Sequence, residues 1–372
     1  MGAGRIVTRR HVCLALLTDA YGGRGGIAQY NRDLTAALAR VPSLAAIEIL
    51  PRVAPAPIGV LPAKVTQHPP RFARLAYVLA AWRLAARLKP DVIFCGHLFM
   101  APLGLVLARL FQARLIVQAH GVEAWTRPLK HQRLAVERAD LILAVSRDTR
   151  ARVLDWANIE PERIRVASNT VAEEFTPGDG DAAREVLGLA EEFVILTVGR
   201  LAAAERYKGH DRVIPLLKTL NGSTKPPIYL IAGTGDDQLR LEALAVRHGV
   251  SARVQFLGHV AQDMLPNLYR AAHLFILPSS GEGFGIVLLE AMACGTPAMG
   301  LAHGGALDAL CGGELGAVVE EVDLPAGLQR ACCDRRAGRL ESGDALACRV
   351  IQRFGRAAFE RRIGALVAGV LD

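Results

Sequence analysis

Residues 278 to 295, Pro-Ser-Ser-Gly-Glu-Gly-Phe-Gly-Ile-Val-Leu-Leu-Glu-Ala-Met-Ala-Cys-Gly, decide the fold of this chain. The apolar run 274–278 that leads into them is short enough for a buried parallel strand. The glycines that follow permit a sharp turn with close backbone approach. Residues 286–293 then contain no helix breaker before Gly295, a residue type common at helix C-caps. The stretch therefore predicts a strand, a glycine loop and a helix, in the order that starts a parallel α/β unit.

Two carboxylates stand eight residues apart in this stretch, Glu282 in the loop and Glu290 on the predicted helix. A helix that begins near Gly285 turns its free amides and positive dipole end toward the sheet edge, which favours a phosphate there. Glu290 leans back toward the same crevice because helical side chains point to the N-terminus. Carboxylates accept hydrogen bonds from hydroxyl groups. A nucleotide sugar has this layout of hydroxyls and phosphates.

The run from Glu282 to Glu290 resembles the signature of retaining GT-B glycosyltransferases, specifically family 4 of that class. The resemblance implies that Glu282 faces the donor sugar and that Glu290 binds the ribose. It also implies that backbone amides bind the sugar and phosphates at Phe284, Gly285, Ile286 and Val287. The alternative interpretation is an ordinary strand-loop-helix unit with solvated acids.

A second motif lies in residues 198–211, which resemble the Gly-Arg…Lys-Gly loop of the same family. The resemblance implies that Arg200 and Lys208 bring positive charge to the diphosphate, and Arg206 could share or replace either role. Arginine offers a planar fork and lysine a mobile point charge, so together they can follow an oxygen as its charge grows. The alternative interpretation is that these side chains are ordinary solvent-exposed cations with no ligand.

Three further positions match the family pattern. His120, followed by Gly121 after an apolar run, resembles the family's His-Gly pair, which implies that its imidazole reaches the donor sugar and the reaction centre. A structural histidine is the alternative. Gly25 and Gly26 end a loop that resembles the family's first loop, which approaches the donor phosphates and the acceptor. Backbone near His259 is implied to hold the base.

The length of 372 residues favours two domains, and 51% hydrophobic with 22% charged residues is typical of a globular chain. Apolar runs separated by helical segments predict strands at 12–17, 90–95, 115–119, 140–145, 193–198, 228–232, 254–257 and 274–277. We therefore predict an α/β protein with two doubly wound, Rossmann-like domains, and the resemblance implies that they face a central cleft in the GT-B arrangement. It also implies an acceptor-side domain 1–176, a nucleotide-sugar-binding domain 177–353 and a helix 354–372 that returns to the first domain.

Charge is unevenly distributed along the chain. Residues 1–176 contain 24 Lys and Arg against 13 Asp and Glu, while the remainder contains 20 against 23. The basic half favours an anionic partner, and the absence of a nucleic-acid motif favours a membrane surface or a lipid-linked acceptor over nucleic acid. A merely solubilising surface is the alternative. The predicted helix 71–89 is either a crossover helix packed on the sheet or a membrane-inserting helix, and its cations do not form one stripe.

Seven cysteines without CxxC spacing favour a reducing compartment, and the apolar run 12–17 is too short for a signal peptide. We expect a cytoplasmic protein, with the inner face of the cell membrane as a second location. We expect no cofactor and no metal; the donor substrate is a UDP- or GDP-sugar. Asp179 and Asp181 look like the metal-binding DxD motif of another glycosyltransferase class, but their setting favours a solvated turn.

The resemblance to family 4 implies a retaining enzyme that transfers a hexose-type sugar from a nucleotide donor to a glycan or lipid-linked acceptor, in polysaccharide or cell-envelope glycan synthesis. A nucleotide-sugar epimerase of the same fold and a non-catalytic nucleotide-sugar-binding protein are the alternatives. A dinucleotide-dependent oxidoreductase is disfavoured because the chain has no GxGxxG after a strand.

Overall fold

The computed structural model describes residues 10–189, 192–220, 225–337 and 343–371. The chain divides into two compact units, one of Met1–Thr170 with Ala357–Asp372 and the other of Val171–Arg356. The sequence predicts these crossings a few residues away, after residues 176 and 353. Among the described residues, no helix combines the length and the apolar character that crossing a membrane requires.

The first unit is built on a parallel sheet in the order β3-β2-β1-β4-β5-β6-β7. Its strands are β1 (His11–Leu17), β2 (Leu44–Pro51), β3 (Val65–Gln67), β4 (Val92–Cys95), β5 (Arg114–Ala119), β6 (Leu141–Ala144) and β7 (Ile164–Val166). The helices along them are α1 (Gly25–Ala39), α2 (Arg74–Leu88), α3 (Ala101–Phe111), α4 (Lys130–Glu137) and α5 (Arg147–Trp156). The order reverses between β1 and β4, which makes this a doubly wound sheet.

The second unit repeats the plan with a parallel sheet in the order β10-β9-β8-β11-β12-β13. Its strands are β8 (Val194–Val198), β9 (Ile228–Ala232), β10 (Val254–Gly258), β11 (Leu274–Leu277), β12 (Ala298–Leu301) and β13 (Ala317–Val319). The helices are α6 (Gly180–Val186), α7 (His210–Val213), α8 (Gln238–Arg247), α9 (Leu265–Ala271), α10 (Ile286–Ala293), α11 (Ala306–Ala309), α12 (Leu324–Arg336) and α13 (Gly343–Phe354). Here the order reverses between β8 and β11.

The final helix, α14 (Arg356–Leu371), belongs to the first unit. Phe359, Ile363 and Val367 are buried at helical spacing, and the Phe359 ring lies edge-on to Tyr30 at 6.0 Å between centroids. The sequence predicts one helix over 354–370; the structure instead ends α13 at Phe354, because Gly355 interrupts the helix before α14 begins.

Several central strands are buried along their whole length, which explains why their apolar runs are easy to recognise in the sequence. All four residues of β4, β6 and β11 are buried, as expected for strands covered by helices on both faces. The stretch 51–70, predicted as irregular, contains one short edge strand, β3, paired with β2. Apart from Pro51, which ends β2, the remainder of that stretch has no helix or strand.

Candidate functional site

The switch point of the second unit brings two loops together. Strands β8 and β11 are hydrogen-bonded neighbours, so the loops at their carboxyl ends, residues 199–209 and 278–285, lie side by side. Ligands of open parallel sheets bind at this kind of reversal, outside the carboxyl ends of the strands. Both motifs singled out in the sequence therefore belong to one site.

Backbone contacts fix the two loops against each other. Ser280 donates its amide hydrogen to the Tyr207 carbonyl at 2.8 Å, and Arg212 Nη1 donates to the Pro278 carbonyl at 3.0 Å. Gly209 has a left-handed backbone with φ of +73°, and a Cβ there would lie 2.0 Å from the Pro278 oxygen. Only glycine permits that approach, so Gly209 lets the Lys208 loop lie on the Glu282 loop.

Lys208 and Glu282 are in direct contact. Lys208 Nζ donates to Glu282 Oε1 at 2.9 Å, and the two side chains are only 16% and 14% exposed. Burial by itself would lower the pKa of Lys208, but Glu282, Tyr207 and Glu205 outweigh burial and raise it. The lysine is therefore charged at neutral pH and is held where Glu282 begins the glycine loop.

The two arginines of the motif are paired differently. Arg200 is 75% exposed and contacts Glu205 at 2.5 Å, and Glu205 in turn contributes to the raised pKa of Lys208. Arg206 donates through Nε to Asp237 at 3.0 Å. Hydrogen bonds from Arg240 and then from Arg206 hold the pKa of Asp237 below its usual range. Arg200 thus lies in the charge cluster of Lys208, whereas Arg206 belongs to an ion-pair network at the start of α8.

Helix α10 begins within the predicted loop. Gly285, with φ of +90°, is its N-cap residue, and Ile286 and Val287 form the first turn, whose amides have no partner inside the helix. Phe284 is buried and packs edge-on against Phe354 at 5.8 Å, so its backbone is held in place. The helix begins at the position that the sequence predicts, and an anion at its N-terminus stays a prediction.

Glu290 lies on the second turn of α10 and has a buried partner. The Tyr269 hydroxyl, on α9, donates to Glu290 Oε2 at 2.6 Å. Burial raises the pKa of Glu290 to about 7, and the bond from Tyr269 opposes only part of that shift. The other carboxylate oxygen accepts none of the hydrogen bonds that the described residues make, which leaves an acceptor for a ligand hydroxyl.

Other positions of the second unit surround these loops. Gly233 donates its amide to the Gly258 carbonyl at 2.8 Å, and a Cβ on Gly233 would lie 1.8 Å from the Gly199 oxygen. His259, the residue after Gly258, is exposed and lies directly after β10. The chain after β10 therefore lies close to the loop that carries Arg200, and base binding by the backbone near His259 stays a prediction.

The first unit carries the remaining predicted residues. His120 follows β5, its Nε2 donates to the Gly96 carbonyl at 2.9 Å, and its ring lies edge-on to Tyr30 at 5.2 Å. Burial lowers the pKa of His120, although Glu123 and the bond to Gly96 act in the opposite sense. The imidazole is therefore neutral at pH 7.

The predicted first-loop glycines stand at a helix end. Gly25 and Gly26 are the first two residues of α1, and Gly25 has a left-handed φ of +84° with open space where a Cβ would be. The chain thus turns into α1 at the carboxyl edge of β1, one of the two strands at the reversal of this sheet. The approach of this loop to the donor phosphates and the acceptor stays a prediction.

Comparison with known proteins gives the family. The family model described as Glycosyl transferases group 1 matches residues 179–331, and that described as Glycosyltransferase Family 4 matches residues 24–175. A relative from Geodermatophilus obscurus, named D-inositol 3-phosphate glycosyltransferase, is 31% identical over 327 residues, which cover 79% of this chain and 69% of the relative. The chain belongs to glycosyltransferase family 4.

Solved structures agree with the fold of this family 4 glycosyltransferase. Sucrose-phosphate synthase from Thermosynechococcus elongatus superposes with a TM-score of 0.78 at 23% identity, over 97% of this chain and 99% of the other. Anabaena HepE in complex with UDP-glucose gives a TM-score of 0.75 at 22% identity, over 97% and 100%. The two Rossmann-like units thus have the GT-B fold, which confirms the predicted fold class.

The DxD sequence of this glycosyltransferase has a structural role. Asp179 caps α6 by accepting from the amides of Asp181 and Ala182 at 2.9 and 3.0 Å, and Asp181 forms an ion pair with Arg184. Within the described parts of the chain, no three His, Cys, Asp or Glu side chains converge as a metal site would need. The solvated-turn interpretation accounts for these contacts.

Sequence reasoning missed several residues that shape the site of this glycosyltransferase. Gly305 donates its amide to the Glu282 carbonyl at 2.8 Å, and a Cβ there would lie 2.0 Å from the Gly283 oxygen. Tyr269 and Glu205, described above, were also missed. The pair Gly304-Gly305 was a visible signal in the sequence, but nothing local indicated that it contacts the glycine loop.

Proposed function

We propose that this enzyme transfers a hexose-type sugar from a nucleoside-diphosphate donor to a glycan or lipid-linked acceptor, with retention at the anomeric carbon. The observation that carries the proposal is the contact between Lys208 and Glu282 at the β8/β11 reversal, beside the N-terminus of α10. This arrangement places a cation and free helix amides, which suit a diphosphate, next to a carboxylate, which suits sugar hydroxyls.

The proposed chemistry depends on stabilising the leaving group. As the bond between the anomeric carbon and the phosphate oxygen breaks, negative charge grows on the diphosphate. Lys208, Arg200 and the first amides of α10 would absorb that charge as preorganised donors. The acceptor hydroxyl forms the new bond to the anomeric carbon from the same face, and its proton passes to the departing phosphate oxygen. The neutral His120 would orient the sugar as a hydrogen-bond partner.

The ion pair within the site gives each group a role in donor binding. A phosphate oxygen would replace Glu282 as the partner of Lys208, and a sugar hydroxyl would replace Lys208 as the partner of Glu282. Neither charge would then remain buried and unpaired, which would otherwise be costly. Glu290, held by Tyr269, would accept a hydrogen bond from a ribose hydroxyl. Backbone near His259 would contact the base.

Relatives indicate which ligands to test first. The Geodermatophilus obscurus relative is named for D-inositol 3-phosphate, and HepE has been solved with UDP-glucose. We therefore expect a UDP-sugar to bind more readily than a GDP-sugar, and we include an inositol phosphate among the acceptors. A role in polysaccharide or cell-envelope glycan synthesis follows from the proposed acceptor class.

The test is a thermal-shift screen of UDP- and GDP-sugars, followed by measurement of nucleoside diphosphate release with and without acceptors. A ligand at 100 times its dissociation constant adds about 2.7 kcal/mol of stability, which is a measurable shift. Stabilisation by one nucleotide sugar and acceptor-dependent release support the proposal. Conversion of the donor without any acceptor would indicate an epimerase, and binding without release under any acceptor would indicate a non-catalytic protein.

A further inference from the structure

Helix α2 presents large apolar side chains to solvent. Of its residues only Tyr77, Ala81 and Ala85 are buried against the first unit. Leu75, Leu79 and Trp82 are 81%, 55% and 48% exposed. At about 100° per residue these three fall on one stripe, away from the buried face. The helix therefore packs on the first unit through Tyr77 and two alanines, and the described residues leave a second, apolar face of the helix largely open to solvent.

The same segment of the chain is rich in cations. The segment 71–89 contains five Lys or Arg and no Asp or Glu, and all five cations are exposed: Arg71, Arg74, Arg83, Arg87 and Lys89. None of these side chains forms an ion pair with the described residues. Wound as a helix, Arg83 and Arg87 fall along one border of the stripe, next to Leu79. Arg74 lies in the first turn, on the side that Ala81 and Ala85 bury further along the helix.

The apolar surface continues onto α3. The Trp82 ring lies edge-on to Phe111 at 6.1 Å, which joins the two helices at their exposed sides. Val106 and Leu110 of α3 are exposed, and the exposed Arg109 adds another cation. Helix α3 also contains no acidic residue. We call the exposed side chains of α2 and α3 the α2/α3 face.

We propose that the α2/α3 face docks this protein onto a bilayer that contains anionic phospholipid. Apolar side chains flanked by unpaired cations fit the boundary between acyl chains and negatively charged headgroups. A second copy of this chain is a poor occupant, because a symmetric pairing would bring like charges together. The proposal concerns the first unit and is independent of the transfer reaction.

The experiment is sedimentation of the whole protein with vesicles, without donor or acceptor. Vesicles of phosphatidylcholine and phosphatidylglycerol in equal parts are compared with vesicles of phosphatidylcholine alone. We expect strong sedimentation only with the anionic vesicles, reduced by added salt. Replacing two cations, as in Arg83→Gln with Arg87→Gln, is expected to lower the partition coefficient about 30-fold. Leu75→Gln with Leu79→Gln is expected to lower it about 100-fold.

A matched control is available in the second unit. Leu239 and Val246 of α8 are 78% and 68% exposed, so Leu239→Gln with Val246→Gln makes a comparable apolar-to-polar change elsewhere. This control is expected to bind like the wild type. On binding, tryptophan fluorescence is expected to shift to the blue, and Trp82→Phe should remove that shift.

Four results would each overturn the proposal. These are no binding to anionic vesicles, equal binding to both vesicle types, equal loss of binding in the α8 control, and a dimer that the Leu75 and Leu79 substitutions dissociate. Circular dichroism of each variant separates misfolding from loss of binding. If Leu75→Gln with Leu79→Gln misfolds, binding by Arg83→Gln with Arg87→Gln is the test of the proposal.

Discussion

At the scale of single residues, three cations from one short motif end in different surroundings. Lys208 is largely buried against Glu282, Arg200 is exposed beside Glu205, and Arg206 is bound to Asp237. A donor diphosphate would gain most from the cation that is already desolvated and oriented, because charges interact more strongly away from water. The proposed site therefore depends on Lys208 first and Arg200 second.

Lys208→Ala is expected to lower turnover about 100- to 1000-fold, the usual effect of losing one preorganised donor to a developing negative charge. Arg206→Ala is the matched control, since Asp237 keeps two hydrogen bonds from Arg240. Steady-state rates of nucleoside diphosphate release measure both. A near-normal rate for Lys208→Ala, or an equal loss for Arg206→Ala, would remove Lys208 from its assigned role.

Glu290 predicts a dependence of stability on pH. Its pKa is about 7 in the folded protein against an ordinary 4.5, so the folded state keeps a proton that the unfolded state releases. The contribution of Glu290 to the free energy of unfolding is therefore fully present below pH 4.5. That contribution, about 3 kcal/mol, is lost as the pH rises through about 7. Urea unfolding between these limits should show a decline that Glu290→Gln flattens. Glu320→Gln, an exposed change, should leave the decline in place; the same slope in both variants would contradict the prediction.

At the scale of elements, the site depends on loops that touch through glycine. The sequence located β9, β11 and α10 at their observed bounds, because short apolar runs between breakers are a local signal. It did not predict β12, whose Ala-Met-Gly-Leu sequence is a poor strand former by composition. That strand forms because β11 and β13 pair with it on both sides.

Gly209→Ala tests the loop contact. Gly209 and Gly249 both have left-handed backbones, with φ of +73° and +69°, but only at Gly209 would a Cβ meet another chain segment. Gly249→Ala therefore measures backbone strain alone, expected at about 1 kcal/mol. Gly209→Ala should cost about 3 kcal/mol or more, because Pro278 must also move, and should weaken nucleotide-sugar binding. Urea unfolding and thermal shift with donor check this; equal costs for the two variants would show that the loops are not locked together.

At the scale of the whole molecule, the chain leaves the first unit and returns to it. Phe354 and Phe359 are five positions apart and both are buried, yet Phe354 packs on Phe284 of the second unit and Phe359 on Tyr30 of the first. The break at Gly355 separates them. Each unit has its own core, so the two are expected to differ in stability and in response to substitutions.

Phe359→Ala is expected to destabilise the first unit by about 3–5 kcal/mol, the usual cost of removing a buried phenylalanine side chain. Phe354→Ala should have a comparable effect on the second unit. All three tryptophans, Trp82, Trp125 and Trp156, belong to the first unit, so their fluorescence reports on it alone. We expect the fluorescence midpoint in urea to fall for Phe359→Ala and to stay near wild type for Phe354→Ala. Identical midpoints for the two variants would argue against separate cores.

The amino-acid sequence by itself determined eight of the strands, the two-unit plan and the residues that belong to family motifs, because these depend on local composition, breakers and spacing. Only the tertiary structure decided which groups meet. Lys208 and Glu282 are 74 positions apart and are in contact because β8 and β11 are neighbours in the sheet. Tyr269 reaches Glu290, and Gly305 reaches the glycine loop, for the same reason: contacts between distant segments follow from strand order and packing, which no local pattern encodes.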